Sequence, residues 1–300
     1  MRILVSGSSG LVGTALIPVL TGAGHEVARL IRAKSGSPSK ELVAWDPEAG
    51  SIDAAGLEGL DAAVHLAGES IASGRWTAAK KARIRDSRLK GTRLLCEALA
   101  RCAKPPQILV CASAIGFYGD RGDETLTETS PSGSGFLAEV CREWESATDP
   151  AAKRGIRVVN TRFGVILSAN GGALAKMLTP FKMGIGGVLG SGRQYMSCIS
   201  IDDCVTAIVY ALSTNSLSGP VNVVGPVPVT NAEFTKTLGR VLGRPTVMPM
   251  PAFAARLAFG EMADELLLSS SRVVPQKLLD SGLQFHDRDL EAALRLVLAK

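Results

Sequence analysis

The chain has 300 residues, 46% of them apolar and 20% charged, which predicts a globular protein with one large core or two adjoining lobes. The 33 basic and 28 acidic residues leave a net charge of +5, too small and too scattered for a nucleic-acid surface but suited to an anionic small molecule. No apolar run reaches the ~20 residues of a membrane span, glycines interrupt the N-terminus before a signal sequence forms, and the 6 irregularly spaced cysteines are typical of a reduced, cytoplasmic protein.

Short apolar, β-branched runs recur along the chain with helical patterns between them. Their hydrophobicity is continuous rather than alternating, as expected for strands that are covered on both faces of a parallel sheet. The pattern predicts an α/β fold with a doubly wound parallel sheet. The predicted strands cover residues 2–7, 25–32, 61–68, 107–113, 156–167 and 220–225, and the predicted helices cover 11–22, 87–103, 231–243 and 287–299.

The character of the chain changes after residue 167. Residues 168–194 are glycine-rich, and proline-rich links such as "RPTVMPMPAF" separate the helices that follow. We therefore predict a nucleotide-binding domain over residues 1–167 and a smaller C-terminal substrate lobe over 168–300, with the strand near 220–225 returning to the first sheet. Within the lobe, residues 172–192 are interpreted either as a loop that closes over a ligand or as a plain connection.

Three glycines, Gly7, Gly10 and Gly13, follow the first strand directly and open the first helix. Residues without a Cβ allow backbone N–H groups and the helix N-terminus to approach a pyrophosphate. Placed between a strand and an amphipathic helix, the motif predicts dinucleotide binding, with a merely tight turn as the alternative. The predicted cofactor site also includes the neighbouring Ser9, Leu11 and Val12.

The end of the second strand bears on which dinucleotide is bound. NAD enzymes place an acidic residue there to hold the ribose 2′-hydroxyl, whereas this chain has Ile31 followed by Arg32. A 2′-phosphate can lie against the Arg32 guanidinium, helped by Lys34 or Ser35. The sequence thus predicts NADP(H), and a solvated surface arginine is the alternative.

The segment "HLAGES" ends the next strong strand, where Leu66, Ala67 and Gly68 let adenine and ribose lie against the backbone. Beyond it, the i, i+4, i+7 spacing puts three cations on one helical face. They can reach the cofactor phosphates or remain solvated. Lys81 and Arg85 are interpreted as solvated, while both alternatives stay open for Arg88, which joins the predicted cofactor site.

These segments resemble, in order, the extended short-chain dehydrogenases related to nucleotide-sugar epimerases. The match rests on "GSSGLVG", "HLAG", "SAIGFYG", "TRFGVIL" and "GSGRQYMSCISIDDC". The segments "HLAGESI", "FLAEVC" and "GEMADELLLSSSRVVPQKLL" resemble more closely an atypical epimerase-like subgroup, the SulA or YfcH type with a C-terminal DUF1731-like segment. This resemblance implies an extended Rossmann fold and NADP(H) binding, and it leaves the substrate unassigned.

The resemblance also exposes a missing catalytic pair. In the wider family a serine at the end of the fifth strand works with a Tyr-x-x-x-Lys on the next helix, where the tyrosine moves a proton while hydride moves at the nicotinamide. Ser113 matches the serine, but aligning Glu145 with the family's glutamate puts Leu137 and Cys141 at the tyrosine and lysine positions. Neither side chain can do the original chemistry.

Tyr118, five residues after Ser113, is a candidate replacement for the missing tyrosine. Its phenol can in principle transfer the proton, and a structural role in the Tyr-Gly turn is the alternative. Relatives acting on nucleotide sugars also carry G-x-G-x-Q-x-R, and here Gln194 is kept but Met196 replaces the arginine, which weakens the case for a nucleotide diphosphate substrate. No metal-ligand spacing is present.

The combined prediction is an NADP(H)-dependent oxidoreductase acting on a small carbonyl or hydroxyl compound, with Ser113 and Tyr118 as candidate catalytic residues. Two alternatives stay open: a sensor that binds NADPH without turnover, and an epimerase acting on a sugar derivative. No membrane or nucleic-acid partner is expected. Whether the protein acts alone or as a homodimer is left open.

Overall fold

A computed structural model describes residues 1–32, 41–287 and 289–299. Within these residues all six predicted segments contain a strand, and the structure adds further strands outside them. The strands are β1 (Arg2–Ser6), β2 (Glu26–Arg32), β3 (Leu42–Asp46), β4 (Ser51–Ile52), β5 (Ala62–His65), β6 (Ile108–Ala114), β7 (Thr125–Leu126), β8 (Arg157–Phe163), β9 (Val165–Leu167), β10 (Tyr195–Met196), β11 (Cys198–Ser200), β12 (Gly219–Val223), β13 (Val229–Thr230) and β14 (Arg272–Val273).

The helices of the described residues alternate with the strands of the first half and dominate the last third. They are α1 (Leu11–Gly22), α2 (Ala78–Arg101), α3 (Phe136–Ser146), α4 (Asp149–Lys153), α5 (Gly172–Lys182), α6 (Ile201–Ser213), α7 (Asn231–Leu242), α8 (Ala252–Phe259), α9 (Gln276–Asp280) and α10 (Leu290–Ala299). Short 3₁₀ turns at Ala55–Leu57 and Ile115–Tyr118 and a π-helical turn at Ala263–Leu268 connect some of them.

The main sheet of the described residues has eight strands in the order β12-β8-β6-β5-β1-β2-β3-β4. Its pairs are parallel except for β3 with β4. Successive strand residues feed opposite faces: Ile3 and Val5 pack with α1 and α6, while Leu4 packs with α2. Helices on both faces of a largely parallel sheet confirm the predicted doubly wound α/β fold.

The strand order reverses at β1, which has β2 on one side and β5 on the other. In such sheets a crevice opens at the carboxyl ends of the strands flanking this point, and ligands bind there. The glycine motif begins at Gly7, directly after β1, and the segment that starts at Leu66 follows β5. The fold therefore brings the two predicted cofactor segments to one edge.

The C-terminal part has its own core, in which α5, α7 and α10 pack together through Leu174, Phe234 and Leu294. The strand predicted near 220–225 is β12, which pairs with β8 at the edge of the main sheet. Helix α6 also packs into the core of that sheet. Both β12 and α6 therefore belong to the main sheet and its core, although they follow residue 167 in the chain.

Residues 172–192 differ from the loop interpretation, because α5 occupies the first half of this segment. Leu174, Leu178 and Phe181 recur at helical spacing and are buried in the C-terminal core. This burial outweighs the flanking glycines and the internal Pro180, so only the part after α5 remains irregular.

Candidate functional site

The glycine motif forms a bend that only glycine fits at two of its positions. Gly7 has a φ of +64°, and a Cβ there would lie 2.8 Å from the Leu66 carbonyl carbon. A Cβ on Gly13 would lie 2.3 Å from the Gly7 carbonyl oxygen. Gly10 is the N-cap of α1, whose first turn has neither a capping side chain nor an acidic residue. The N-terminus of α1 therefore opens on a tight bend with no side-chain cap, of the kind that receives phosphate groups.

A buried hydrogen-bond chain holds the bend against the segment after β5. The Ser6 hydroxyl oxygen accepts from the amides of Leu66 and Ala67 at 3.0 and 3.2 Å. Both of its lone pairs are then used, so its proton is donated to His65 Nδ1 at 2.7 Å. His65 must carry its own proton on Nε2, which donates to Thr92 Oγ1 at 3.1 Å. Sequence reasoning missed this chain, which joins β1, β5 and α2.

His65 should make stability depend on pH. The ring is completely buried, and burial lowers its pKa from 6.5 to about 4. The native state favours the neutral ring, so its contribution is complete above pH 6.5 and is lost as pH falls toward 4. Urea unfolding should show about 3 kcal/mol of such loss that is missing from His65→Gln. Equal pH slopes in the two proteins would contradict this role.

The end of β2 presents an exposed Arg32 beside the switch point. Glu69 lies near enough for this guanidinium to lower its pKa, although the Lys80 ammonium, 2.6 Å away, lowers it most. Lys80 is buried and also donates to Ser73 Oγ. Sequence reasoning missed Glu69, whose charge Lys80 balances. Lys34 and Ser35, the predicted helpers of Arg32, lie outside the described residues.

The three cations predicted on one face of α2 divide into two groups. Lys81 pairs with Glu261 at 2.7 Å, and Arg85 makes a two-pronged contact with Glu143. Arg88 is half-buried, and its Nη1 donates to the Glu69 and Ile84 carbonyls. Burial lowers the pKa of Arg88. Its Nε and Nη2 make no hydrogen bond within the described part of the chain, which leaves donors available to a ligand.

Ser113 does not reach outward as the family serine would. It is 2% exposed and donates to Glu145 Oε1 at 2.7 Å. Arg162, its partner across the β6–β8 ladder, binds both oxygens of Glu145 at 2.8 Å. In this geometry the Ser113 proton is donated to a buried ion pair at the end of β6, and the catalytic role of Ser113 stays a prediction.

Tyr118, the second predicted catalytic residue, has its hydroxyl surrounded by hydrogen-bond partners. Its side chain is fully buried, and its hydroxyl contacts Asn222 Oδ1 at 2.7 Å and the Thr127 carbonyl at 3.0 Å. Arg162 Nη1 donates to the same hydroxyl at 2.9 Å. Burial raises the pKa of Tyr118 despite this arginine. This geometry fits a structural role of Tyr118 in the Tyr-Gly turn.

The two positions aligned with the family's tyrosine and lysine are apolar and buried. Leu137 and Cys141 are 8% and 3% exposed, and both side chains pack toward Gly116 in the turn after β6. Burial raises the pKa of the Cys141 thiol to about 12, so it stays neutral at physiological pH. Helix α3 therefore supplies neither a proton nor a charge from these two positions.

A carboxylate from the C-terminal part reaches the N-terminus of α3. Glu265 Oε1 accepts from the Phe136 amide at 3.2 Å, and its Oε2 accepts from the Leu137 amide at 3.3 Å. Gly135 has a φ of +103°, and a Cβ there would lie 2.5 Å from Glu265 Oε1. No local sequence pattern predicts this contact, because Leu137 and Glu265 are 128 residues apart in the chain.

The motif compared with nucleotide-sugar enzymes is structural here. Gln194 is 7% exposed and donates to the carbonyls of Leu189 and Leu267. Asp203 lies in the first turn of α6, where its oxygens accept from the amides of His286 and Asp287. These hydrogen bonds hold together segments of the C-terminal part that are distant in sequence.

Comparison with known proteins identifies the family. The family model described as NAD dependent epimerase/dehydratase family matches residues 3–225. The chain belongs to this family. A second model, a domain of unknown function (DUF1731), matches residues 250–297 of this family member. The resemblance predicted from the motifs is confirmed, and Glu265 lies inside the second match.

Two relatives of this epimerase/dehydratase family member cover nearly its full length. An epimerase family protein of Mycobacterium bovis is 47% identical over 292 residues, covering 97% of this chain and 96% of that protein. The human epimerase family protein SDR39U1 is 37% identical over 302 residues, covering 100% of both chains. The crystal structure of human SDR39U1 isoform 2 with NADPH has a TM-score of 0.90 and 35% identity, covering 100% of this chain and 99% of that one.

Two further properties concern the described residues alone. In residues 1–32, 41–287 and 289–299 no group of histidine, cysteine and acidic side chains is arranged to hold a metal ion. Within the same ranges, none of the helices combines the length and the apolar character needed to cross a bilayer.

Proposed function

We propose that this epimerase/dehydratase family member is an NADP(H)-dependent oxidoreductase acting on a small carbonyl or hydroxyl compound. The observation that carries the proposal is the bend at the carboxyl end of β1, where Gly7 and Gly13 leave no room for a Cβ and α1 begins without a capping side chain. A dinucleotide pyrophosphate fits such a bend. The human relative solved with NADPH supports the choice of cofactor.

The residues around the bend fit the rest of the cofactor. Leu66, Ala67 and Gly68 lie at the carboxyl end of β5 beside the bend, since the backbone of Leu66 is the nearest neighbour of Gly7. Arg32 is exposed at the end of β2 and offers a guanidinium to a 2′-phosphate. Arg88 brings a second cation close to Gly68. The remaining predicted contacts, Ser9, Gly10, Leu11 and Val12, stay part of this proposal.

When bound, the nicotinamide supplies a hydride donor or acceptor at its C4 atom. The chain's part is to bind and orient. The bend and the Ser6–His65 chain hold the cofactor segments together, and the Ser113–Glu145–Arg162 cluster keeps the end of β6 in place. A proton must also move to or from the substrate oxygen, and Ser113 and Tyr118 stay the predicted residues for this step.

Arg32 should decide the preference for the phosphorylated cofactor. Arg32→Ala is expected to weaken NADPH binding about 10- to 100-fold, because a charge-assisted contact to the 2′-phosphate is lost. NADH affinity should change by no more than about twofold. Calorimetric titration of both nucleotides measures this, with Arg29→Ala as the matched control, an exposed arginine earlier on β2. An equal loss for both nucleotides, or a parent protein without preference, would overturn the NADP(H) assignment.

Turnover separates the oxidoreductase from an NADPH-binding protein without catalysis. The parent protein is expected to oxidise NADPH, followed at 340 nm, in the presence of at least one member of a panel of small aldehydes and ketones. Tight binding of NADPH with no turnover across the panel would leave binding as the function and overturn the oxidoreductase proposal.

A further inference from the structure

We infer that a small acidic cavity in the C-terminal part of the chain binds a primary ammonium group. Asp203 and Asp287 line this cavity together with apolar side chains. The described lining residues include none of the predicted cofactor contacts and neither candidate catalytic residue, so the site does not depend on the proposed oxidoreductase function. The ligand class is a small primary amine or the end of a lysine side chain.

The cavity lies where β11 and the start of α6 meet the start of α10. Ser200 ends β11, Asp203 is in the first turn of α6, and Leu290 begins α10. The volume of the cavity is about 30 Å³, which is room for roughly two water-sized groups. The exposed residues Val227 and Asp289 form part of its wall, so a small ligand can enter from the surface.

The side chain of Asp287 is the feature that points to a ligand. Asp287 is 8% exposed, and its Oδ2 has no hydrogen-bond partner within the described residues. The Ser200 hydroxyl hydrogen-bonds the same side chain, which leaves Oδ2 as the unsatisfied oxygen of this cavity residue. A buried carboxylate oxygen without a partner costs free energy, and a ligand that donates a hydrogen bond to it recovers that cost.

Asp203 adds a second buried carboxylate to the cavity wall. It is 2% exposed, its Oδ1 accepts from the His286 amide at 2.9 Å, and its Oδ2 accepts from the Asp287 amide at 3.1 Å. Burial raises the pKa of Asp287, and the negative charge of Asp203 adds to the rise. A cation in the cavity offsets both effects, because it pairs with the charge and replaces the lost hydration.

The size of the cavity selects the kind of cation. In the described part of the chain, no histidine, cysteine and acidic side chains are grouped to hold a metal ion. A guanidinium is too large for this volume, and a quaternary ammonium has no N–H to donate. A primary ammonium is water-sized and has three donors, one of which can reach Asp287 Oδ2. The apolar Val229 and Ala293 also line the cavity and suit the carbon that bears the ammonium.

The test measures the melting temperature of the full chain with methylammonium chloride. At about 50 mM, methylammonium should raise the melting temperature by about 2–5 °C, because a ligand that binds only the folded state stabilises it. Tetramethylammonium chloride and potassium chloride at the same concentration are the controls. They supply the same charge and ionic strength without an N–H donor, so neither should raise the melting temperature.

Three variants locate the effect in the cavity. Asp287→Asn removes the charge and keeps the shape of the side chain, so it should abolish the rise. Asp280→Asn is the matched control and should keep the rise, because this exposed carboxylate contacts Gln276 on α9. Ala293→Val keeps every carboxylate but narrows the cavity, so it should also lose the rise. This variant keeps the test decisive if Asp287→Asn does not fold.

Two further comparisons identify the source of the ammonium group. Putrescine carries it on a free amine and Nα-acetyl-lysinamide carries it on a lysine side chain, and the compound that gives the larger rise at equal concentration identifies the source. Arg288, between Asp287 and Asp289 in the sequence, lies outside the described residues. Arg288→Ala therefore tests whether the chain supplies its own cation, and the inferred site requires that the parent already responds to methylammonium.

A rise in the parent that Asp280→Asn keeps and Asp287→Asn loses would support the ammonium site. An equal rise with tetramethylammonium or potassium would show that charge alone is responsible and would overturn it. The inference also fails if the parent shows no rise, if Asp287→Asn responds as the parent does, or if a rise appears only in Arg288→Ala.

Discussion

Gly13→Ala is expected to weaken NADPH binding by about 100-fold or more. It is also expected to lower the free energy of unfolding by about 3 kcal/mol. The added Cβ would stand 2.3 Å from the Gly7 carbonyl oxygen and 2.9 Å from Ser8 Cα. Both are backbone atoms, so no side chain can rotate away, and the bend itself must open. Calorimetry with NADPH and urea unfolding measure the two effects.

Gly22→Ala is the matched control on the same helix. Gly22 ends α1, and a Cβ there meets nothing within 4 Å in the described structure. Because alanine favours helix over glycine, this variant should bind NADPH as the parent does and gain up to about 1 kcal/mol of stability. Equal behaviour of the two variants would mean that the crowding at Gly13 does not shape the cofactor bend.

Glu145→Gln is expected to lower the free energy of unfolding by about 3–5 kcal/mol. Glu145 binds both Nε and Nη2 of Arg162, and the side chains are 13% and 4% exposed. Removing the negative charge leaves a buried guanidinium uncompensated, and it also removes the charged acceptor of the Ser113 hydroxyl. Urea unfolding at neutral pH measures the loss.

Helix α3 supplies the control for this prediction. Glu143 makes the same two-pronged contact with Arg85, but these side chains are 39% and 49% exposed. Water and salt already screen that pair, so Glu143→Gln should cost no more than about 1 kcal/mol. Replacing both buried partners, in Glu145→Leu with Arg162→Met, should recover much of the loss. A similar small cost at both glutamates would contradict the role of the buried pair.

The sequence predicted the main sheet well because its signals are local. The helix predicted over 11–22 coincides with α1, and the strand predicted over 2–7 differs from β1 by one residue. A continuous apolar run predicts a strand that is buried on both faces, and this prediction does not require knowing which strand lies beside it. The helix in 172–182 was missed because composition was weighed above periodicity, although Leu174, Leu178 and Phe181 carried the helical pattern.

The candidate site was predicted less completely. The sequence places Leu137 and Cys141 at the positions aligned with the family's tyrosine and lysine, and this alignment stays a prediction. The catalytic roles of Ser113 and Tyr118 stay predictions, and the structure adds the hydrogen-bond partners of the two hydroxyls. Both hydroxyls are committed to the buried Arg162 cluster, and strand pairing, which places Arg162 opposite Ser113, created that cluster.

By itself, the sequence determined the doubly wound sheet and the glycine bend, and it predicted the loss of the catalytic pair. Each depends on residue type and short-range spacing, and a missing Cβ has the same consequence wherever the strand–turn–helix forms. Only the tertiary structure decided that Glu265, 129 residues after Phe136, lies against the start of α3. Pairing of distant groups depends on how the elements pack, and no local pattern in the chain encodes it.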